Sequence, residues 1–270
     1  MMRATRFTRN PVRFIASYRS RLTEAVSHDI RARYVGSLFG STWAVLFPVS
    51  QLVIYAVIYA FVLRVRPSGL DAMEYALLVF SGLVPLMAFS ETLLGATNSL
   101  SANRALLLNT VFPAELIPLR AGLAAHAPSL VGLFATLVYG VALGRTGWSA
   151  LVCVPVLWVL LVAFASGLGW MLSLVVLVAK DVQHGIGLVM MLVYVLSPFA
   201  YTPDMVPAAL RAIVWLNPMS YFVLSFQQVI CYGRWPDPTQ AAGATLIATL
   251  AFFGGFAVFQ RAKSVFFDHA

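Results

Sequence analysis

The chain has 270 residues, 60% of them hydrophobic and only 10% charged, with a mean hydropathy of +0.85. A soluble domain carries about a quarter charged residues, and several apolar runs here reach the roughly 20 residues that cross a bilayer, so a water-soluble globule is excluded. The net charge of +8 does not indicate nucleic acid, because eight of the eighteen basic residues (Arg3, Arg6, Arg9, Arg13, Arg19, Arg21, Arg31 and Arg33) precede the first apolar run. Such a cluster sets membrane topology or meets anionic headgroups.

No apolar signal-peptide core follows the first arginines before Trp43. Residues 1–23 are Arg-rich and free of acid, which also suits a transit peptide. From Phe14 to Tyr34, apolar residues recur at Phe14, Tyr18, Leu22, Val26, Ile30 and Tyr34. This four-residue step predicts one amphipathic helix lying in the membrane interface, its arginines on other faces.

Spans are expected at residues 43–63, 75–96, 116–143, 150–178, 185–200 and 241–259. The polar stretch at 97–110 holds a possible short helix at 103–109. Residues 201–240 are too apolar for a solvated loop, yet prolines divide them into pieces at 205–216 and 219–231. At about 18 Å each, these pieces are too short to cross a bilayer of roughly 30 Å. Joined by Asn217-Pro218, they predict a re-entrant hairpin, the alternative being an interfacial helical loop. The expected fold is therefore an all-α polytopic membrane protein with six transmembrane helices. It divides into an N-terminal part at 1–42, a membrane part at 43–260 and a tail at 261–270. With the N-terminus inside, thirteen basic residues fall on the cytoplasmic side and five outside, as the positive-inside rule requires. Both termini are expected to be cytoplasmic.

Sites of chemistry are scarce. The sequence contains no GxxxxGK[ST] phosphate loop, no HExxH, no CxxC pair and no GxSxG elbow. Ser166 and His126 are the best candidates for a membrane enzyme, and nothing in their spacing brings them together. Cys153 and Cys231 read as small buried hydrophobes, their disulfide state undecided. Glu91 is the one carboxylate deep in an apolar run, a functional residue by default or a structural partner of Arg120. Aromatics either pack, form interfacial belts or line a path for sugars. The channel candidates are Trp43, Tyr55, Tyr59, Phe80, Phe89, Glu91, Tyr201 and Tyr221.

Short motifs run in order along almost the whole chain: RARYVGSLFGSTW at 31–43, LFP at 46–48, FSGLVP at 80–85 and VFP at 111–113. They continue with SPFAY at 197–201, MVP at 205–207 and LNPMSY at 216–221. In these the chain resembles the membrane subunit of type-2 ABC exporters, most closely the branch exporting O-antigen, capsule or teichoic acid chains. The resemblance implies a homodimer served by two copies of a cytoplasmic ATPase subunit, with ATP and magnesium on that partner and no cofactor here. It implies a lipid-linked glycan as substrate and the bacterial inner membrane as location. ATPase coupling would fall to Tyr18, Leu22, Val26, Ile30, Arg31, Arg33 and Tyr34, with Asn103, Arg104 and Asn109 in the connection after the second span. An exporter of drugs or lipids shares this architecture and remains the alternative.

Overall fold

A computed structural model describes residues 10–58, 67, 69–103 and 112–267, with side chains as far as Lys263. Its described residues are helical, in ten α-helices and short 3-10 turns. The N-terminal segment is two helices rather than one, α1 at Pro11–Ser17 and α2 at Arg19–Ala32. Asn10 caps α1 by accepting from the Val12 and Arg13 amides. The Ser17 hydroxyl donates back to the Arg13 and Phe14 carbonyls at 2.9 and 2.8 Å, and Tyr18 leaves helical geometry at φ −111°, ψ 14°. Such hydroxyl back-bonding bends helices. At its other end α2 stops at Ala32, so Arg33 and Tyr34 stand beyond it, in a turn that Gly36 continues at φ 81°.

The bundle proper follows. Helix α3 (Trp43–Ala56) leads to α4 (Ala72–Ala102), α5 (Leu116–Ala142), α6 (Ser149–Val178) and α7 (Val182–Leu196). Then come α8 (Arg211–Leu216), α9 (Pro218–Ile230) and α10 (Pro238–Phe267). Asp71 and Glu74 form a reciprocal capping box at the start of α4, with bonds of 2.8 and 3.1 Å. Before α10, Asp237 accepts from the Thr239 amide at 2.8 Å, and the Thr239 hydrogen bonds hold its carboxyl below the usual carboxylate range.

Four of these helices, α4, α5, α6 and α10, are long and apolar enough to cross a membrane. The α8–α9 pair, bent by 95°, makes a fifth if counted as one broken span. Six spans were expected. The shortfall lies at the first and fifth: the apolar helix Gly40–Ala56 and α7 are both short, and residues 59–66 lie outside the described residues. Helix α7 stops because Ser197 turns extended, ψ 134°, ahead of Pro198. The same rule breaks the bent pair, where Asn217 is extended before Pro218 and its side chain caps the Met219 amide at 3.0 Å. Two short pieces joined at Asn217-Pro218 are thus present where they were expected.

Helix α4 is the axis of the bundle, buried along most of its length. It packs on α5 and α6, and α6 packs on α10. Small residues permit these contacts: a Cβ on Gly95 would stand 2.7 Å from the Ala125 methyl, and one on Gly122 3.1 Å from Thr92. Helix α9 lies inside the bundle. Phe222 stacks on Phe164 with centroids 5.7 Å apart, and Phe164 stacks on Phe89 at 5.0 Å. The end of α9 reaches the opposite end of the bundle from α2, where the Ile230 carbonyl accepts from Thr146 and the Cys231 thiol meets the Glu74 carbonyl. Arg145 pairs with Glu74 at that end. Both cysteines are free and buried.

One buried amide ties α9 to the break after α7. Gln227 donates through Nε2 to the carbonyls of Pro198 at 3.0 Å, Phe199 at 3.2 Å and Leu78 at 3.4 Å. Replacing Gln227 by Leu leaves those carbonyls without this donor, a loss of about 1–3 kcal/mol. A lower thermal midpoint of the detergent-purified protein is the expected result; an unchanged midpoint would show that the amide holds nothing.

Candidate functional site

The amphipathic end of the bundle is built on a second core. Phe14 and Leu22 from α1 and α2 join Leu100, Leu116, Ile117, Trp170, Phe256 and Phe259 there. The apolar stripe expected on the N-terminal segment is therefore turned toward the chain's own bundle. Leu22 is 6% exposed, Tyr18 and Val26 pack on the same core, and Ile30 is half-buried. Arg31 and Arg33 remain exposed.

Polar contacts lock this end. Arg120 on α5 faces Asp29 of α2 at 3.4 Å and donates to Asn103 at 3.1 Å, while Phe112 lies 5.7 Å from its guanidinium. Glu115 pairs with Lys263 at 2.6 Å, and its carbonyl accepts from the Trp170 indole at 2.8 Å. Arg120 is thus committed to Asp29 and Asn103. The pairing of Glu91 with Arg120, one of the two expectations for that carboxylate, is not formed.

Glu91 instead accepts from the Ser129 hydroxyl at 2.8 Å. It borders a cavity of about 350 Å³ shared with Arg33, Tyr34, Ser37, Trp43, Phe47 and Pro128. Two sets of residues that the sequence kept apart meet here: Arg33 and Tyr34 from the coupling set, Trp43 and Glu91 from the channel set. The depth of the cavity also follows. At about 1.5 Å per residue the 31 residues of α4 run roughly 46 Å, well beyond about 30 Å of hydrocarbon. Glu91 precedes the end of α4 by about 16 Å, level with the first residue of α3. The excess length lies at the α2 end, where Thr97, Asn98, Ser99 and Ser101 are polar. Glu91 accordingly stands at the mouth of the apolar part rather than at its centre.

The remaining candidates are dispersed. Tyr55 meets Phe199 edge-on at 6.3 Å and Phe80 meets Tyr139 at 5.8 Å. Phe89 is buried in the stacked column. Tyr201 and Tyr221 donate to the Leu196 and Trp215 carbonyls at 2.8 and 3.1 Å. Tyr59, Arg104 and Asn109, and most of the short helix expected at 103–109, lie outside the described residues. Asp29, Phe47 and Ser129 were missed by sequence reasoning. Ser129 carried a usable signal, since it stands one helical turn from His126 on the same face of α5.

His126 belongs to the same α4–α5 seam. Thr92 donates its hydroxyl proton to the Ala88 carbonyl at 2.6 Å, so it accepts from His126 Nδ1 at 2.9 Å. Nδ1 therefore carries the ring proton and is engaged by Thr92, not by Ser166.

Residues 26–231 match the family model described as ABC-2 type transporter. The chain belongs to that family. Being a member makes this ABC-2 subunit a multi-pass membrane protein and a transport subunit. It is 24% identical over 257 residues to an O-antigen export system permease protein RfbA of Myxococcus xanthus, covering 94% of this chain and 97% of the relative. It is 28% identical over 216 residues to a protein of the same name from Klebsiella pneumoniae, covering 78% and 80%. The family match opens within α2 and closes at Cys231, so it includes the connector, the Glu91 cavity and the bent α8–α9 pair of the ABC-2 subunit.

Proposed function

We propose that this chain is the permease subunit of an ATP-driven exporter that moves a lipid-linked polysaccharide, of O-antigen or capsular type, outward across the bacterial inner membrane. The similarity to O-antigen export permeases along 78% to 94% of the chain carries this reading. Two copies of the subunit form the path. The apolar residues that α3 and α7 leave exposed, among them Leu46, Ile54, Leu188 and Leu192, supply surface for lipid or for a second copy. Two copies of a cytoplasmic ATPase, bearing ATP and magnesium, dock at the α1–α2 end. Both termini then lie in the cytoplasm.

The packing suggests how force passes. Helix α2 is joined to α5 through Asp29 and Arg120 and to α3 through a short connector. A push on its exposed arginine face, from Arg19 to Arg31, would therefore move the start of α3 against α4 and α5. In a deletion strain, surface polysaccharide should disappear while lipid-linked glycan accumulates inside; restoring the chain should reverse both. Normal surface polysaccharide in the deletion strain, with altered lipid or drug efflux, would assign the transporter to another substrate.

A further inference from the structure

The cavity at Glu91 has a composition that neither a lipid chain nor a phosphate explains. An acyl chain there would cover a half-buried carboxyl and the guanidinium of an exposed arginine and offer neither a hydrogen-bond partner. A phosphate would set its charge beside a carboxyl. A polyol suits both groups, because each sugar hydroxyl can donate to one and accept from the other.

The geometry points to this cavity as a sugar-binding subsite, in which Glu91 and Arg33 take the hydroxyls of a pyranose while Trp43 and Tyr34 cover its C–H face. This rests on the exporter reading and names a place where the glycan first touches the permease. The volume of about 350 Å³ falls in the roughly 300–1,000 Å³ range of small-molecule sites. The carboxyl is preorganised, since Ser129 holds one oxygen at 2.8 Å and the other is left for a ligand. Among the described residues the Arg33 side chain has no hydrogen bond and no direct ion pair, so its donors are available. Trp43 is 38% exposed and is braced edge-on by Phe39 with centroids 5.6 Å apart. Bracing fixes the ring while leaving area for stacking. The site lies at the mouth of the apolar part, where a glycan arriving from the α2 end would meet it.

The test uses whole cells carrying the complete exporter and their own glycan as the probe. A benzophenone amino acid is placed at Phe47 or Ser37, which border the cavity, or at Val138, an exposed residue of α5 away from it. After irradiation the purified, delipidated subunit is stained for carbohydrate. Adducts at Phe47 and Ser37 but not at Val138 are expected, and Glu91→Gln should reduce them about tenfold, as loss of one strong hydrogen bond would. Arg33→Gln, in an exposed turn, repeats the test without disturbing the bundle. Phospholipid-only adducts, no carbohydrate adduct while glycan still reaches the surface, or adducts unchanged in both variants would each overturn the subsite and leave the exporter reading standing. Glycan export that continues without this chain would instead overturn the exporter reading, and the subsite with it.

Discussion

Gly167→Ala is expected to prevent stable assembly of the bundle. A Cβ at that position would collide with the Ala251 carbonyl and stand 2.7 Å from the Phe252 amide nitrogen. These are backbone atoms of α10, which cannot rotate aside as a side chain can. A Cβ at Gly255 would in turn collide with the Gly167 carbonyl. The two helices therefore touch backbone to backbone, and a methyl group must push them apart along their whole contact. In a membrane, close packing replaces much of the hydrophobic driving force between helices, so the cost should exceed the usual overpacking of about 1–3 kcal/mol. The measurement is the fraction of monodisperse protein surviving heating, read by size exclusion. Gly254 provides an internal control, because nothing lies within 4 Å of its Cβ position. Gly254→Ala should survive heating like the parent, and equal survival of Gly167→Ala would refute the backbone contact.

The second large effect is expected from Leu22→Asp. Leu22 is the most deeply buried residue of α2 and enters the core formed with Leu116, Trp170 and Phe259. Loss of its apolar contacts and burial of a carboxyl should together cost about 3–5 kcal/mol, enough to release α2 from α5. Trypsin should then cut the released helix at Arg19, Arg21 and Arg31 much faster than in the parent. Ser27→Asp adds the same charge on the exposed face and should leave cleavage unchanged. If α2 transmits the push of an ATPase, Leu22→Asp should also abolish export while the ATPase continues to hydrolyse ATP. Parental cleavage rates in Leu22→Asp would show that α2 is held by other means.

These two expectations mark where pattern and packing part company. A four-residue apolar step shows that a segment is amphipathic, because periodicity alone decides which residues share a face. It does not say what that face meets. Tyr18, Leu22 and Val26 looked suited to an outside partner, yet they pack on the chain's own core, which leaves the arginines to face outward. The break at Tyr18 was illegible for a similar reason, since it arises from a serine back-bond and no proline or glycine announces it.

Much of the fold was legible nonetheless. Long apolar runs predict helices because a bilayer forces the backbone to satisfy its own hydrogen bonds. Asn217-Pro218 predicts a break because the residue before proline is driven out of helical geometry, whereas the same rule at Pro198 ends α7 at Leu196, short of the residue 200 expected for that span. The motifs along the chain pointed to the type-2 exporter family that the match over residues 26–231 shows.

By itself, then, the sequence determined an all-helical membrane protein, the break at Asn217-Pro218 and the family to which it belongs. The first two follow from local backbone rules and from the solvent, the last from the motifs along the chain. Only the tertiary structure decided that Arg120 serves Asp29 and Asn103, that Glu91 turns to Ser129, and that Arg33, Tyr34 and Trp43 gather with Glu91 around one cavity. Such meetings depend on helix crossing and relative depth, which the close approach of small residues sets and no periodicity records.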